Sequence, residues 1–221
     1  KGVERMSFLN AVELEARSIR EAVQDAAPFV AGRVLDVGCG DKPYKKYFDG
    51  HFTDYIGVDL ETVNTSAADV FADSLHLPFR SSSFDTVFST QVIEHVPDPF
   101  QMMREMSRVS KPNGNLIITA PQMWPIHEAP FDFFRYTKFG LEELAKRAGL
   151  ETVLIRERHG GVYALAQMLC FMLYSKHRES FLRVILKPFF FLVQVLALLF
   201  DRIYYYSDFT LGYVLVARKQ S

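Results

Sequence analysis

Between Arg33 and Ala120, short runs rich in Val, Ile and Phe alternate with turn residues and helix-period stretches, and this alternation restricts the fold more than any other feature. The runs are Arg33–Val37, Asp54–Leu60, Asp69–Ala72, Phe84–Thr90 and Asn115–Ala120. Each reads as a strand. A helical pattern from Asp98 to Val109 separates the last two, with Asp98 as N-cap and Pro99 in the first turn, and Pro112-Asn113-Gly114 turns the chain into the fifth run. Strands separated this way lie parallel and are joined by right-handed crossovers. Ahead of them, Leu9, Val12, Ala16, Ile19, Val23 and Ala26 recur at helical steps, predicting a one-sided helix over Ser7–Ala27 that Pro28 ends. Beyond them, Thr137 caps a helix over Leu141–Ala148, Gly149 closes it, and Thr152–Arg156 makes a sixth strand. Two strongly apolar helix-like stretches follow, Gly160–Ser175 and Phe181–Phe200, before a closing strand at Thr210–Arg218.

At 221 residues the chain predicts one domain, with 160–206 as an apolar helical insertion between strands six and seven. Net charge is −1, so no chain-wide positive field is available for a phosphate backbone, and nucleic acid is excluded as the expected partner. Cys39 and Cys170 form neither a metal spacing nor a disulfide framework, and no metal is expected. The charged Lys1–Arg5 lead into an amphipathic pattern where a secretory segment would need an apolar one, so the expected location is cytoplasmic. A chain that starts without Met reads as a truncated one.

The first strand ends in Asp36-Val37 and runs into Gly38-Cys39-Gly40. Two glycines there let the backbone approach a ligand closely, which predicts a nucleotide-type crevice. The third glycine of a dinucleotide fingerprint is missing and Pro43 stands near its place, which argues against NAD and FAD. Asp59, some twenty residues beyond the glycines at the end of the second strand, suits a pair of ribose hydroxyls and so implies adenosine. Asp73 ends the third strand, where its carboxylate suits an adenine amino group.

These segments, together with Phe-Asp-Thr-Val-Phe-Ser-Thr-Gln-Val-Ile-Glu-His-Val and Lys-Pro-Asn-Gly-Asn-Leu-Ile-Ile-Thr-Ala-Pro, resemble the class I S-adenosylmethionine-dependent methyltransferases, in particular the small-molecule type 11 group. The resemblance covers Arg33 to Arg156. It implies an α/β, Rossmann-like three-layer sandwich whose mostly parallel seven-stranded sheet has an antiparallel last strand, a role that Tyr213–Ala217 suits. It further implies S-adenosylmethionine as cofactor. Asp36, Gly38, Cys39 and Gly40 would lie at the methionyl part, Asp59 and Leu60 at the ribose, and Asp73, Ser74 and Leu75 at the adenine. Gln91 would lie near the methionyl group or sulfonium.

On the acceptor side, methyl transfer asks mainly for alignment and exclusion of water, with a proton acceptor where the nucleophile is a hydroxyl. The candidates are Glu94, His95 and His127. Pro121–Thr137 is long for a loop and combines aromatics with His127, Asp132, Arg135 and Tyr136, which suggests a substrate-side lid. Asp132 and Arg135 serve equally well as an ion pair that only holds the loop.

The apolar stretch Phe181–Phe200 carries Arg183, Lys187 and Gln194, and its charge-free part is shorter than the roughly twenty residues a bilayer crossing needs. With Arg178, Arg183, Lys187 and Arg202 at lipid head groups and Tyr204–Tyr206 at the interface, the insertion suits peripheral contact at the inner membrane face. A buried hairpin and a homodimer seam are the alternatives. The function expected is methyl transfer to a small-molecule or lipid-linked acceptor. The competing one is a non-catalytic protein that keeps the fold and recruits or anchors a complex.

Overall fold

The computed structural model describes residues 9–61, 67–177 and 180–220. Lys1–Arg5, Ser7, Arg178 and the side chain of Arg183, which figure in the expectations above, lie outside the described residues. The chain forms two compact units, one of residues 1–21 with 157–211 and one of residues 22–156 with 212–221.

The second unit is organised by a seven-stranded sheet in the order β3-β2-β1-β4-β5-β7-β6. Its strands are β1 (Gly32–Val37), β2 (Phe52–Asp59), β3 (Val70–Phe71), β4 (Phe84–Thr90), β5 (Ser110–Pro121), β6 (Leu150–Glu157) and β7 (Gly212–Lys219). β1 pairs in parallel with β2 on one side and β4 on the other, so Asp36 stands opposite both Gly57 and Phe88. The strand order reverses here, and in an open α/β sheet a ligand crevice forms outside the carboxyl ends at such a switch point. β7 runs antiparallel to β5, with Leu116 opposite Ala217 and Ile118 opposite Leu215, as expected of the last strand.

Burial explains which runs became strands. Val34, Leu35, Val37, Val87, Phe88, Leu116, Ile117 and Ile118 are almost fully enclosed, the pattern of central strands covered on both faces. Helix α2 (Pro99–Val109) buries Met102, Met103, Met106 and Val109, and Asp98 caps it by accepting from the Gln101 N–H at 2.9 Å. Helix α3 (Lys138–Arg147) buries Leu141, Leu144 and Ala145, and its cap Thr137 accepts from Gly140 N at 3.2 Å. Gly149 follows it with φ +72°, a conformation that suits glycine.

Boundaries differ from the sequence reading at several elements, and three of the differences have a clear local cause. Helix α1 runs Glu13–Ala26 and not from Ser7, with Pro28 inside a short 3₁₀ turn at Ala27–Phe29. The turn at Pro112–Gly114 is an irregularity within β5: Ser110 and Asn115 pair with Phe84 and Thr86 on either side, and Asn113 takes φ +60°. The predicted helix over Phe181–Phe200 is two, α5 (Leu182–Ile185) and α6 (Lys187–Ile203), because Pro188 has no N–H to continue the ladder.

The first unit packs Ala11, Cys170 and Phe190 together, with α4 (Gly161–Lys176) against α6. Its interior is also polar. The Gln167 amide donates to Ala11 O at 2.9 Å and accepts from Glu15 N at 3.1 Å, and Gln194 donates to Asn10 O at 3.0 Å. Tyr163 donates to Leu14 O at 2.8 Å. Thus each apolar-looking helix carries a buried amide that fixes the N-terminal segment. Met172, Phe181, Phe191, Leu192, Leu199 and Ile203 stay exposed. Among the described residues no helix is long and apolar enough to cross a membrane.

Candidate active site

The turn after β1 is shaped by two glycines with different reasons to be glycine. Gly38 has φ +72° and donates to Val58 O at 2.8 Å, and a Cβ on it would lie 2.3 Å from a methyl of Val92. Close packing and a left-handed backbone both exclude a side chain. Gly40 has φ +49°, but a Cβ there would meet nothing within 4 Å, because it would project into open space. Its N–H donates to Asp59 Oδ2 at 2.8 Å, and Asp59 Oδ1 accepts from Leu60 N at 2.8 Å. The acid at the end of β2 therefore holds the turn that follows β1, while each oxygen keeps a further lone pair for a ligand.

Two cavities meet at this turn. One of about 270 Å³ is lined by Asp36, Gly38, Gly40, Tyr44 and Thr90 among others. A smaller one of about 90 Å³ is lined by Gly38, Asp59, Leu60, Ser74, Val92 and His95 among others. Asp36 is 3% exposed, and its Oδ2 accepts from the Tyr55 hydroxyl at 2.6 Å. Burial pushes its pKa up to about 7, against the opposing pull of that hydrogen bond and of Lys42.

The folded state thus holds a proton on Asp36 that the unfolded chain releases near pH 4, so this group's contribution is largest in acid and is lost as pH rises toward 7. Between those values urea unfolding of the wild type should lose up to about 1.4 kcal/mol per pH unit relative to Asp36→Asn. Parallel pH profiles for the two proteins would exclude a protonated Asp36.

The remaining expected cofactor residues fall unevenly. Ser74 reaches the smaller cavity, whereas Leu75 packs against the hydrophobic core. Asp73 is exposed and its Oδ1 caps its own turn, accepting from Leu75 N at 2.8 Å. Gln91, at φ +53°, donates through Nε2 to Thr119 Oγ1 at 3.0 Å, tying the ends of β4 and β5. Cys39 lines the larger cavity, and burial raises its thiol to about 12, so it sits there as a neutral group. Tyr44 and Thr90 belong to the same cleft, and nothing in their local sequence marks them.

On the side expected to meet the acceptor, the loop after β5 is fastened to the 3₁₀ turn Ile93–His95. Phe133 N and Phe134 N donate to Glu94 O at 2.9 and 3.2 Å, and the Tyr136 hydroxyl donates to Ile93 O at 3.0 Å. Arg135 donates to both Asp132 oxygens, at 2.6 and 2.8 Å, and to the carbonyls of Trp124 and Pro125. Those bonds hold Asp132 well below the usual carboxylate range. Asp132 also accepts from His127 N at 2.9 Å. The ion pair therefore does hold the loop, and it positions His127 in doing so. Glu94 is fully buried, His95 lines the smaller cavity, and the His95 and His127 rings meet edge to face at 4.6 Å.

Residues 35–118 match the family model described as a methyltransferase domain. An uncharacterized methyltransferase of Mycobacterium leprae is 35% identical over 108 residues, covering 44% of this chain and 40% of that protein. The chain thus spans less than half the length of this curated relative. Among solved structures, the cyclase SpnF superposes with TM-score 0.64 at 20% identity over 100% of this chain and 86% of its own. Phosphoethanolamine N-methyltransferase 2 of Haemonchus contortus, solved with S-adenosyl-L-methionine, gives 0.59 at 18% identity over 93% and 53%. These structural likenesses concern the fold. The sequence match runs through β1, β2 and β4, the strands whose ends carry the glycine turn, Asp59 and Gln91, and over residues 35–118 the chain is similar to a methyltransferase domain.

Proposed function

We propose that this chain transfers a methyl group from S-adenosylmethionine to a small-molecule or lipid-linked acceptor. The observation that carries the reading is the convergence of Gly38, Asp59 and Ser74 on one cavity, with Gly40 opening on free space beside it. The residues suit the cofactor. A buried acid at Asp36 complements an ammonium, which would favour its ionised form, and Asp59 presents acceptors for ribose hydroxyls. Ser74 stands for the adenine side, with Asp73 beyond it in the chain's outer rim.

When bound, S-adenosylmethionine supplies an electrophilic methyl on a sulfonium. The protein's part is then to align the acceptor and exclude water. The loop from Pro121 to Thr137, fastened to Ile93–His95, forms the acceptor wall, with His127, Asp132, Arg135 and Tyr136 built into it. Glu94, His95 and His127 bring three titratable side chains together beside that wall.

The exposed Phe, Leu and Ile side chains of α4–α6 favour an acceptor that resides in or near lipid, reached by peripheral contact at a membrane face. The test is incubation with methyl-tritiated S-adenosylmethionine and either the lipid or the aqueous fraction of a cell extract. Label is expected in the lipid fraction and absent with Asp59→Ala. Cofactor binding without label in either fraction would reverse the reading in favour of a non-catalytic binding protein.

A further inference from the structure

We propose that Glu94, His95 and His127 form a site for one divalent transition-metal ion on the acceptor side of the cavity that holds Asp59. The three residues come from two segments, the 3₁₀ turn after β4 and the loop after β5, and nothing in their spacing along the chain suggests a metal. In the fold, one ligand atom from each lies within 4.8 Å of the other two.

The hydrogen bonds around the rings select the nitrogens. His95 Nδ1 lies 2.7 Å from the Phe131 carbonyl. His127 Nδ1 lies 3.2 Å from the Pro125 carbonyl and 3.2 Å from Asp132 Oδ2. Carbonyl and carboxylate oxygens accept, so each Nδ1 donates and each Nε2 keeps its lone pair. An imidazole whose other nitrogen is tied to a carbonyl or carboxylate is the outer arrangement found around metal-ligating histidines. Asp132 is in turn locked by the Arg135 fork, which gives the His-Asp-Arg series of the loop a reason beyond holding its shape.

The carboxylate side agrees. Glu94 is 0% exposed, and it brings a carboxylate oxygen to the point where the two imidazoles meet. Its Oε1 lies 3.9 Å from His95 Nε2, too long for a hydrogen bond, so the two do not form a proton relay. Ligands of one ion at bonds of about 2.0–2.2 Å stand roughly 3–3.5 Å apart, which a small side-chain adjustment reaches. Glu128, whose Oε2 is also 3.9 Å from His95 Nε2, approaches from the exposed side. Two imidazoles and one carboxylate with a position left open suit zinc, manganese, iron(II) or cobalt better than calcium or magnesium.

Resting on the methyl-transfer reading, this ion narrows the acceptor to a hydroxyl compound. The ion binds the hydroxyl oxygen and lowers its pKa, and the proton leaves to solvent. The O–CH₃ bond then forms as the S–CH₃ bond breaks, and the sulfur keeps that electron pair as a neutral thioether.

Untagged protein stripped with a chelator is titrated with Co²⁺, read by visible ligand-field absorption, and with Zn²⁺ by calorimetry. One ion per chain is expected, with affinity at least about tenfold lower in the isosteric Glu94→Gln and in His127→Ala, and a similar loss in Asp132→Asn. S-adenosylhomocysteine binding to the metal-free wild type is measured separately. Stoichiometric metal without that binding supports the metal site and sinks the methyl-transfer reading. No stoichiometric uptake, or equal affinity in wild type, Glu94→Gln and His127→Ala, overturns the metal site whatever the cofactor does.

Discussion

Asp59→Ala is expected to weaken S-adenosylmethionine binding by a hundredfold or more. In the free protein this carboxylate accepts from Gly40 N and Leu60 N, and it lines the cavity with Ser74 and His95. Its loss removes two charge-assisted acceptors for the ribose, each worth about 1.5–3 kcal/mol, and frees the turn that must be in place before the ligand arrives. A loss of about 3–4 kcal/mol corresponds to several hundredfold in Kd. Calorimetric titration of wild type, Asp59→Ala and Asp59→Asn reads the effect directly. Retained affinity in Asp59→Ala would remove Asp59 from the ligand and with it the proposed orientation of the adenosine.

The second large effect is on stability. Arg158 is 2% exposed; it donates to Glu15 at 2.9 Å, to Ser18 at 3.3 Å and to the Leu211 carbonyl at 3.3 Å. Arg158→Leu leaves the Glu15 carboxylate enclosed beside an apolar side chain, and breaking such a pair costs about 3–5 kcal/mol. The double variant Glu15→Leu/Arg158→Leu removes both charges and should recover most of that loss. Urea unfolding of the wild type, Arg158→Leu, Glu15→Leu and the double variant forms the cycle. Equal stability of the single and double variants would mean that the buried charge is not what destabilises the single one.

The sheet was legible because its strands are enclosed and therefore continuous runs of β-branched and aromatic residues, as at Val34–Val37 and Leu116–Ile118. Caps at Asp98 and Thr137 were legible for a local reason, since a side chain bonding three residues ahead needs no tertiary information. The break ahead of Pro188 was missed because the apolar run of Phe181–Phe200 continues past it on both sides. What sequence could not supply were contacts between distant segments. Tyr55 on Asp36, Val92 against Gly38, and Gln167 and Gln194 on the N-terminal carbonyls depend on where the strands and helices pass one another. Asp36 and Asp59 could be assigned to strand ends because motif order stands in for strand order. The meeting of Glu94, His95 and His127 has no such surrogate, and the sequence reading expected no metal.

Gly38 belongs to the walls of both cavities, and Val92 bears on it from the start of the 3₁₀ turn that carries Glu94 and His95. A molecule seated against this turn therefore also steadies the start of the acceptor wall.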